Sequence, residues 1–275
     1  ALLDQQRAGK HLMLITNADW EFADKMMQLA FDPYLPGDMT WRRLFPTIIV
    51  SSGKPGFFAH DHHFYRVVDE ENALLKPHRG KLEDGSVYYG GNATILEESL
   101  GLSGDEILYV GDHLFGDVHV SKSMFRWRTA LILRELEGEL RAVVGFQETE
   151  EVLTALMAEK GDLEHRRARL RLAALRHDHR TSHDEVDAAG LEEELASLQS
   201  LIVALDDQIA PLARASGELG NSTWGPIMRA GNDKSLFARQ VERYADVYTS
   251  RASNFLMETP FALLRAPRGT LPHDA

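Results

Sequence analysis

Four short apolar runs, each followed at once by polar or glycine residues, most constrain what this chain folds into. They occupy residues 11–16 (His-Leu-Met-Leu-Ile-Thr), 47–50, 107–110 and 129–133. Runs of this length, apolar without alternation, suit strands buried on both faces. Helical patterns lie between them. Phe22, Met26, Met27 and Leu29 fall roughly on one face of a helix over residues 19–31, and Asn92 caps a helix at Ala93–Leu100. Strands alternating with helices predict a largely parallel sheet with helices on its faces, an α/β fold. The Gly-punctuated stretch 57–89 reads as hairpins.

The composition changes after about Glu135. Residues 147–212 are rich in Leu, Ala, Glu and Arg. Leu191, Leu195, Leu198, Leu201, Leu205 and Ile209 recur at three- and four-residue steps, one helical stripe. Val152, Leu153, Leu156, Leu163, Leu170 and Leu175 form a partner stripe, and the polar stretch 177–190 joins the two. This predicts an antiparallel helical hairpin. Arg166, Arg167, Arg169, Arg171, Arg176 and Arg180 load its first arm, and Glu192, Glu193 and Glu194 open its second. Salt bridging across a solvated hairpin accounts for them better than an anion or effector site. The expected organisation is a partial α/β core over 1–140, the hairpin over 141–220, and a C-terminal helix, extending to about Leu256, and tail over 221–275, packing back on the core.

Bulk properties exclude some partners. A formal net charge of −12 over 275 residues argues against nucleic acid or an anionic membrane, which such a surface repels. No apolar run approaches the about 20 residues needed to span a bilayer. Cysteine is absent, so no disulfide or thiolate chemistry exists in this sequence.

Three segments carry candidate chemistry. Gly111-Asp112-His113-Leu114-Phe115-Gly116-Asp117 follows the third run and presents two carboxylates five residues apart. In open α/β folds ligands bind at the C-terminal edge of the sheet, and hard oxygen ligands on a loop suit Mg²⁺; a loop Asp plus a helix-capping Asp is the alternative. Thr16-Asn17 ends the first run and offers a hydroxyl, an amide and backbone N–H groups to a phosphoryl oxygen, or is a plain strand end and turn. Lys54, in Ser52-Gly53-Lys54-Pro55 after the second run, reaches the same edge or is simply solvated. The histidine-rich segments His60-Asp61-His62-His63 and His177-Asp178-His179 read as surface loops, since adjacent strand residues point to opposite faces and chelate one ion poorly. Trp127 and Trp224 read as packing residues.

Taken in order, strand-Thr, strand-Lys and strand-GDxxxGD resemble motifs II, III and IV of the HAD phosphatases. Thr16 to Asp19, Lys54 to Phe58, Tyr88 to Asn92, Ile107 to Asp117, Trp127 to Thr129, Phe237 to Val241, Arg243 to Ser250 and the closing Leu271-Pro272-His273-Asp274 are similar to the cytosolic purine 5'-nucleotidases of that superfamily. The resemblance implies a HAD-like, Rossmann-like core and Mg²⁺-dependent hydrolysis of a nucleoside 5'-monophosphate in the cytoplasm through a phospho-aspartate. By that analogy Thr16, Asn17 and Lys54 hold the phosphoryl group, Lys54 and Asp117 act catalytically, and Asp112 with Asp117 binds Mg²⁺. Helical regions serve as effector or subunit surfaces in related nucleotidases, so a homo-oligomer fits the same analogy. The competing expectations are a non-catalytic interaction protein and a HAD phosphatase acting on another phosphate ester.

One departure stands out. The family's first motif is an Asp-x-Asp whose first carboxylate is the nucleophile and whose second is the general acid/base. No Asp-x-Asp occurs anywhere in these residues. The expectation is therefore a chain that begins after the first strand and the cap, with neighbouring strand edges left open to aggregation. Expressed alone, this segment is expected to give poorly folded protein with no phosphatase activity. Robust release of phosphate from a nucleoside 5'-monophosphate by the purified chain would contradict this.

Overall fold

The computed structural model describes residues 1–178, 188–221, 223–231 and 233–266. The residues expected at the hairpin tip (His179, Arg180) and the closing 271–274 segment lie outside the described residues, as do the side chains of His177 and Asp178. The chain divides into two compact units, residues 1–134 with 239–275, and residues 135–238.

The first unit is a mixed α/β structure with parallel-rich sheets, in keeping with the HAD-like expectation. Its elements begin with α1 (Leu2–Arg7), β1 (Met13–Ile15), α2 (Trp20–Phe31), β2 (Thr47–Val50) and α3 (Gly56–Ala59). The hairpin β3 (Phe64–Asp69) and β4 (Leu74–Pro77) follows, then β5 (Ser86–Gly90), α4 (Ala93–Leu100) and β6 (Leu108–Gly111). A helical turn (Leu114–His119) leads into α5 (Val120–Phe125) and β7 (Arg128–Ile132). One sheet has the order β1-β2-β5-β3-β4, with β1, β2 and β5 parallel and β3 antiparallel to both its neighbours.

Alternation along these strands builds a core on each face of that sheet. Ile49 and Tyr88 join Phe57, Phe58, Phe64, Ala93, Leu96, Tyr109 and Trp127 on one side. Ile48, Val50 and Val87 join Ala23, Trp41, Leu44 and Phe45 on the other. The expected face of α2 is rotated. Phe22 and Leu29 are 59% and 72% exposed, whereas Ala23 is buried and Trp20, Met27 and Phe31 pack on the core. Those four follow three- and four-residue steps, so the helix presents the line with the best spacing rather than its most apolar residues.

The second unit holds the long hairpin, α6 (Leu136–Asp178) and α7 (Ala188–Gly217), whose helices pack on each other. Its buried seam contains Leu153, Leu198, Ile202 and Leu205. Ile202 takes the place expected for Leu201, which is 51% exposed. The reason is spacing: 195, 198, 202, 205 and 209 alternate steps of three and four and so keep one face toward the partner helix. Val152 and Leu175 are likewise exposed while Leu153 is buried. Ion pairs cross the hairpin: Arg166 pairs with Glu194, as expected of the two charged arms, and Lys160 Nζ lies 2.5 Å from Asp206. Within the same unit the short ribbon β8 (Arg229–Ala230) and β9 (Asp233–Lys234) is anchored by Glu139, whose carboxylate accepts from the backbone N–H of Ile227 at 2.5 Å and Met228 at 3.3 Å.

The C-terminal stretch is not one helix. It forms α8 (Leu236–Tyr244), then β10 (Val247–Thr249) and a short helical turn at Ala252–Met257. β10 adds in parallel to β7, giving a second sheet of order β10-β7-β6. A buried carboxylate fixes this junction: Asp246 accepts from Thr129 N–H at 2.9 Å and from Lys122 Nζ at 2.5 Å. Val247-Tyr248-Thr249 has the β-branched character of a strand, which interrupts the helical pattern. Trp224, expected to pack, is 84% exposed, whereas Trp127 is fully buried and donates from its indole N–H to Glu97 at 2.6 Å. Trp127→Ala should destabilise the chain by about 3–5 kcal/mol, read as a lower urea midpoint; an unchanged midpoint would show that this cluster does not hold the first unit together.

Candidate functional site

The ends of β1 and β2 are laced together by backbone bonds before any side chain acts. Thr16 N–H donates to Ile49 C=O at 2.9 Å, Ser52 N–H to Thr16 C=O at 3.0 Å, and Ser51 N–H to Ala18 C=O at 2.8 Å. Thr16 therefore faces β2, and alternation turns the carbonyl of Ile15 to the other side of β1. The loop after β2 turns tightly enough that Ser51 and Gly53 both take positive φ, 44° and 69°, which tips Lys54 back over the strand ends.

Lys54 is the hub. Its Nζ lies 2.8 Å from Asp117 Oδ1, donates to the Tyr109 hydroxyl at 2.9 Å and reaches Ile15 C=O at 3.3 Å. Both charged side chains are largely buried, 15% exposed for Lys54 and 6% for Asp117. The Tyr109 hydroxyl also donates to Asp117 Oδ1 at 3.3 Å, and Asp117 Oδ2 accepts from His113 N–H at 3.2 Å. Burial, with the negative charges of Asp117 and then Asp112 beside it, pushes the Tyr109 phenol well above its ordinary range, so it stays protonated and keeps both hydrogen bonds. Gly111 is required by this packing: a Cβ there would fall 2.5 Å from the Asp117 Cβ.

The expected site residues follow the ends of β1, β2 and β6, where Lys54 links the Ile15 carbonyl to Asp117, and they are in different states of use. Thr16 Oγ1 accepts from Ala18 N–H at 3.1 Å and retains its own proton to donate. The Asn17 side chain is engaged with the Lys54 loop: its oxygen accepts from Lys54 N–H at 2.7 Å and Ser52 Oγ at 2.9 Å, and its amide donates to Lys54 C=O at 2.9 Å. Asp117 is enclosed by protein donors. Asp112, at the tip of β6, is exposed and has no protein hydrogen-bond partner among the described residues. Sequence reasoning did not find Tyr109 or Ser52. The signal for Tyr109 was a phenol on the buried alternation of an otherwise aliphatic strand, two residues before Gly111.

The other candidates do not converge on a site. His60 and His62 stack edge to face at 5.6 Å on an exposed loop. Among the described residues no group of three or more His, Cys, Asp or Glu is gathered as a metal cage, and no helix is long and apolar enough to cross a membrane.

Comparison with known proteins gives a consistent picture. The family described as "5' nucleotidase family" matches residues 1–275. Two curated relatives, each named "5'-nucleotidase domain-containing protein 2", from Homo sapiens and Rattus norvegicus, are 28% identical over 270 residues. The match covers 97% of this chain and 45% and 43% of those proteins, so the chain spans a little under half the length of these relatives.

The Asn17 clamp generates a direct test. Asn17→Ala removes three hydrogen bonds to the Lys54 loop and should cost about 1–2 kcal/mol, discounted for its exposure. It should also make the 51–56 segment more readily cut by a nonspecific protease. Equal stability and equal cleavage would show that the loop is held by other contacts.

Proposed function

This chain belongs to the 5' nucleotidase family, and on that premise we propose that it supplies the phosphate- and metal-holding residues of a HAD-type nucleoside 5'-monophosphate phosphatase, with purine nucleotides as its substrate class and the cytoplasm as its setting. The observation that carries this reading is the meeting of Thr16, Lys54 and the Asp112–Asp117 loop at the ends of three strands. Such a cluster does what phosphoryl transfer most needs from a protein, positioning and charge stabilisation.

In this reading the Thr16 hydroxyl donates to a phosphoryl oxygen, and Lys54 neutralises the charge that develops there. Asp117 keeps the Lys54 ammonium at the strand ends, and Asn17 holds its backbone. Mg²⁺ suits the residues present. Asp112 offers a free hard-oxygen ligand beside the enclosed Asp117, and Mg²⁺ commonly takes one or two carboxylates while keeping waters and substrate oxygens. When bound there the ion would neutralise and orient the phosphoryl oxygens. Asp117, whose oxygens already meet Lys54, Tyr109 and His113, would support it directly or through water. A phospho-aspartate route needs an attacking carboxylate that these residues do not supply, since no Asp-x-Asp is present. A second reading, in which the chain binds a phosphate group without turning it over, uses the same residues.

Ligand-linked stability tests both. With Mg²⁺ and inorganic phosphate well above their dissociation constants, the thermal midpoint should rise by about 2–4 °C. The rise should vanish in Lys54→Ala and in Asp112→Asn. No rise in the parent chain, or an equal rise in both variants, would remove the site from this edge.

A further inference from the structure

We infer that Tyr109 is a positioning residue for Lys54, holding the ammonium at the phosphate edge through its hydroxyl; this rests on the reading of Lys54 as the phosphate-facing cation. The phenol is held from two sides. Its ring is wedged edge to face against Phe58 at 5.5 Å and tilted against Trp127 at 5.7 Å, inside a core where Trp127 and Phe58 are almost wholly buried. Its hydroxyl stands at the polar end of that wedge, accepting from Lys54 Nζ at 2.9 Å and donating to Asp117 Oδ1 at 3.3 Å.

The geometry gives the hydroxyl a task that neither neighbour performs. Asp117 alone would draw the lysine down into an ion pair along whichever of its three protons happened to point there. Ile15 C=O and the Tyr109 oxygen accept two further directions, at 3.3 Å and 2.9 Å. An ammonium has three N–H donors, and three fixed acceptors set its orientation. The phenol is a suitable third acceptor because it brings no second negative charge, and therefore leaves part of the ammonium's charge for an incoming anion. A carboxylate in its place would cancel that charge.

The test compares Tyr109→Phe, which keeps the ring and its aromatic contacts, with Tyr88→Phe. Tyr88 is a buried phenol of the same core whose hydroxyl accepts from Glu83 N–H at 2.8 Å and does not touch Lys54. At one fixed pH, acylation of each lysine by an amine-selective reagent is followed by mass spectrometry, with exposed Lys10 as the internal reference. Tyr109→Phe should speed Lys54 labelling relative to Lys10 by at least about threefold, and Tyr88→Phe should leave the ratio unchanged. An unchanged ratio in Tyr109→Phe, or equal acceleration in both variants, overturns the assignment and leaves Tyr109 as packing only. If Tyr109→Phe does not fold, the contact is read from the other side. Lys54→Met should raise nitration of Tyr109 relative to Tyr88, and no change there also overturns it. The thermal response of the parent chain to Mg²⁺ and phosphate reports separately on the site itself. Loss of that response with the labelling change intact refutes the phosphate reading and not the Tyr109–Lys54 coupling.

Discussion

The bond between the Lys54 ammonium and Asp117 ties the polar ends of two sheets that already share an aromatic core. Lys54 follows β2 in the five-stranded sheet, and Asp117 follows β6 in the three-stranded one. Burying such a pair is costly unless each partner's remaining hydrogen-bonding capacity is met. Here it is met on both sides: Ile15 C=O and Tyr109 complete the lysine, and Tyr109 with His113 N–H completes the carboxylate. The pair is therefore well formed, and breaking either half would strand the other in a poorly solvated position.

This arrangement divides labour between two acidic residues that look alike in sequence. Asp117 sits under the glycine at 111 and inside a ring of donors, so its charge is committed to the protein. Asp112 projects from the strand tip with its oxygens open. In the proposed reading, a cation at this edge meets the Asp112 carboxylate, and an anion meets the Lys54 ammonium and the Thr16 hydroxyl. Under that proposal, opposite charges at neighbouring strand ends accommodate both ligand types together, as a metal-assisted phosphoryl site requires.

Much of this was legible in the residues themselves. Thr16, Lys54 and the GDxxxGD loop each follow an apolar run, and a run buried on both faces delivers its next residue to the strand end whatever its partners are. The hairpin was legible too, because two leucine stripes separated by a polar segment have few other ways to bury themselves. What was missed depended on rotation and partnership. The helix over Trp20–Phe31 turns Ala23 and Met27 inward instead of Phe22 and Leu29, and Ile202 displaces Leu201 from the seam. Both are small rotations about a helix axis, decided by the surface being packed against. The strand at Val247–Thr249 was hidden inside a helical pattern because three β-branched or aromatic residues are a weak local signal until the edge of β7, distant in sequence, pairs with them.

By itself, the sequence determined that the four apolar runs become strands, the order of the Thr16, Lys54 and GDxxxGD segments along the chain, the hairpin and the family. Those follow from local periodicity and from residue types at strand ends. Tertiary structure alone decided that Asn17 spends its side chain on the Lys54 loop, that Asp117 is enclosed while Asp112 is free, and that Tyr109 meets the lysine. Each of these is a choice among several hydrogen-bonding partners, and such choices are settled by distances between segments that no local pattern encodes.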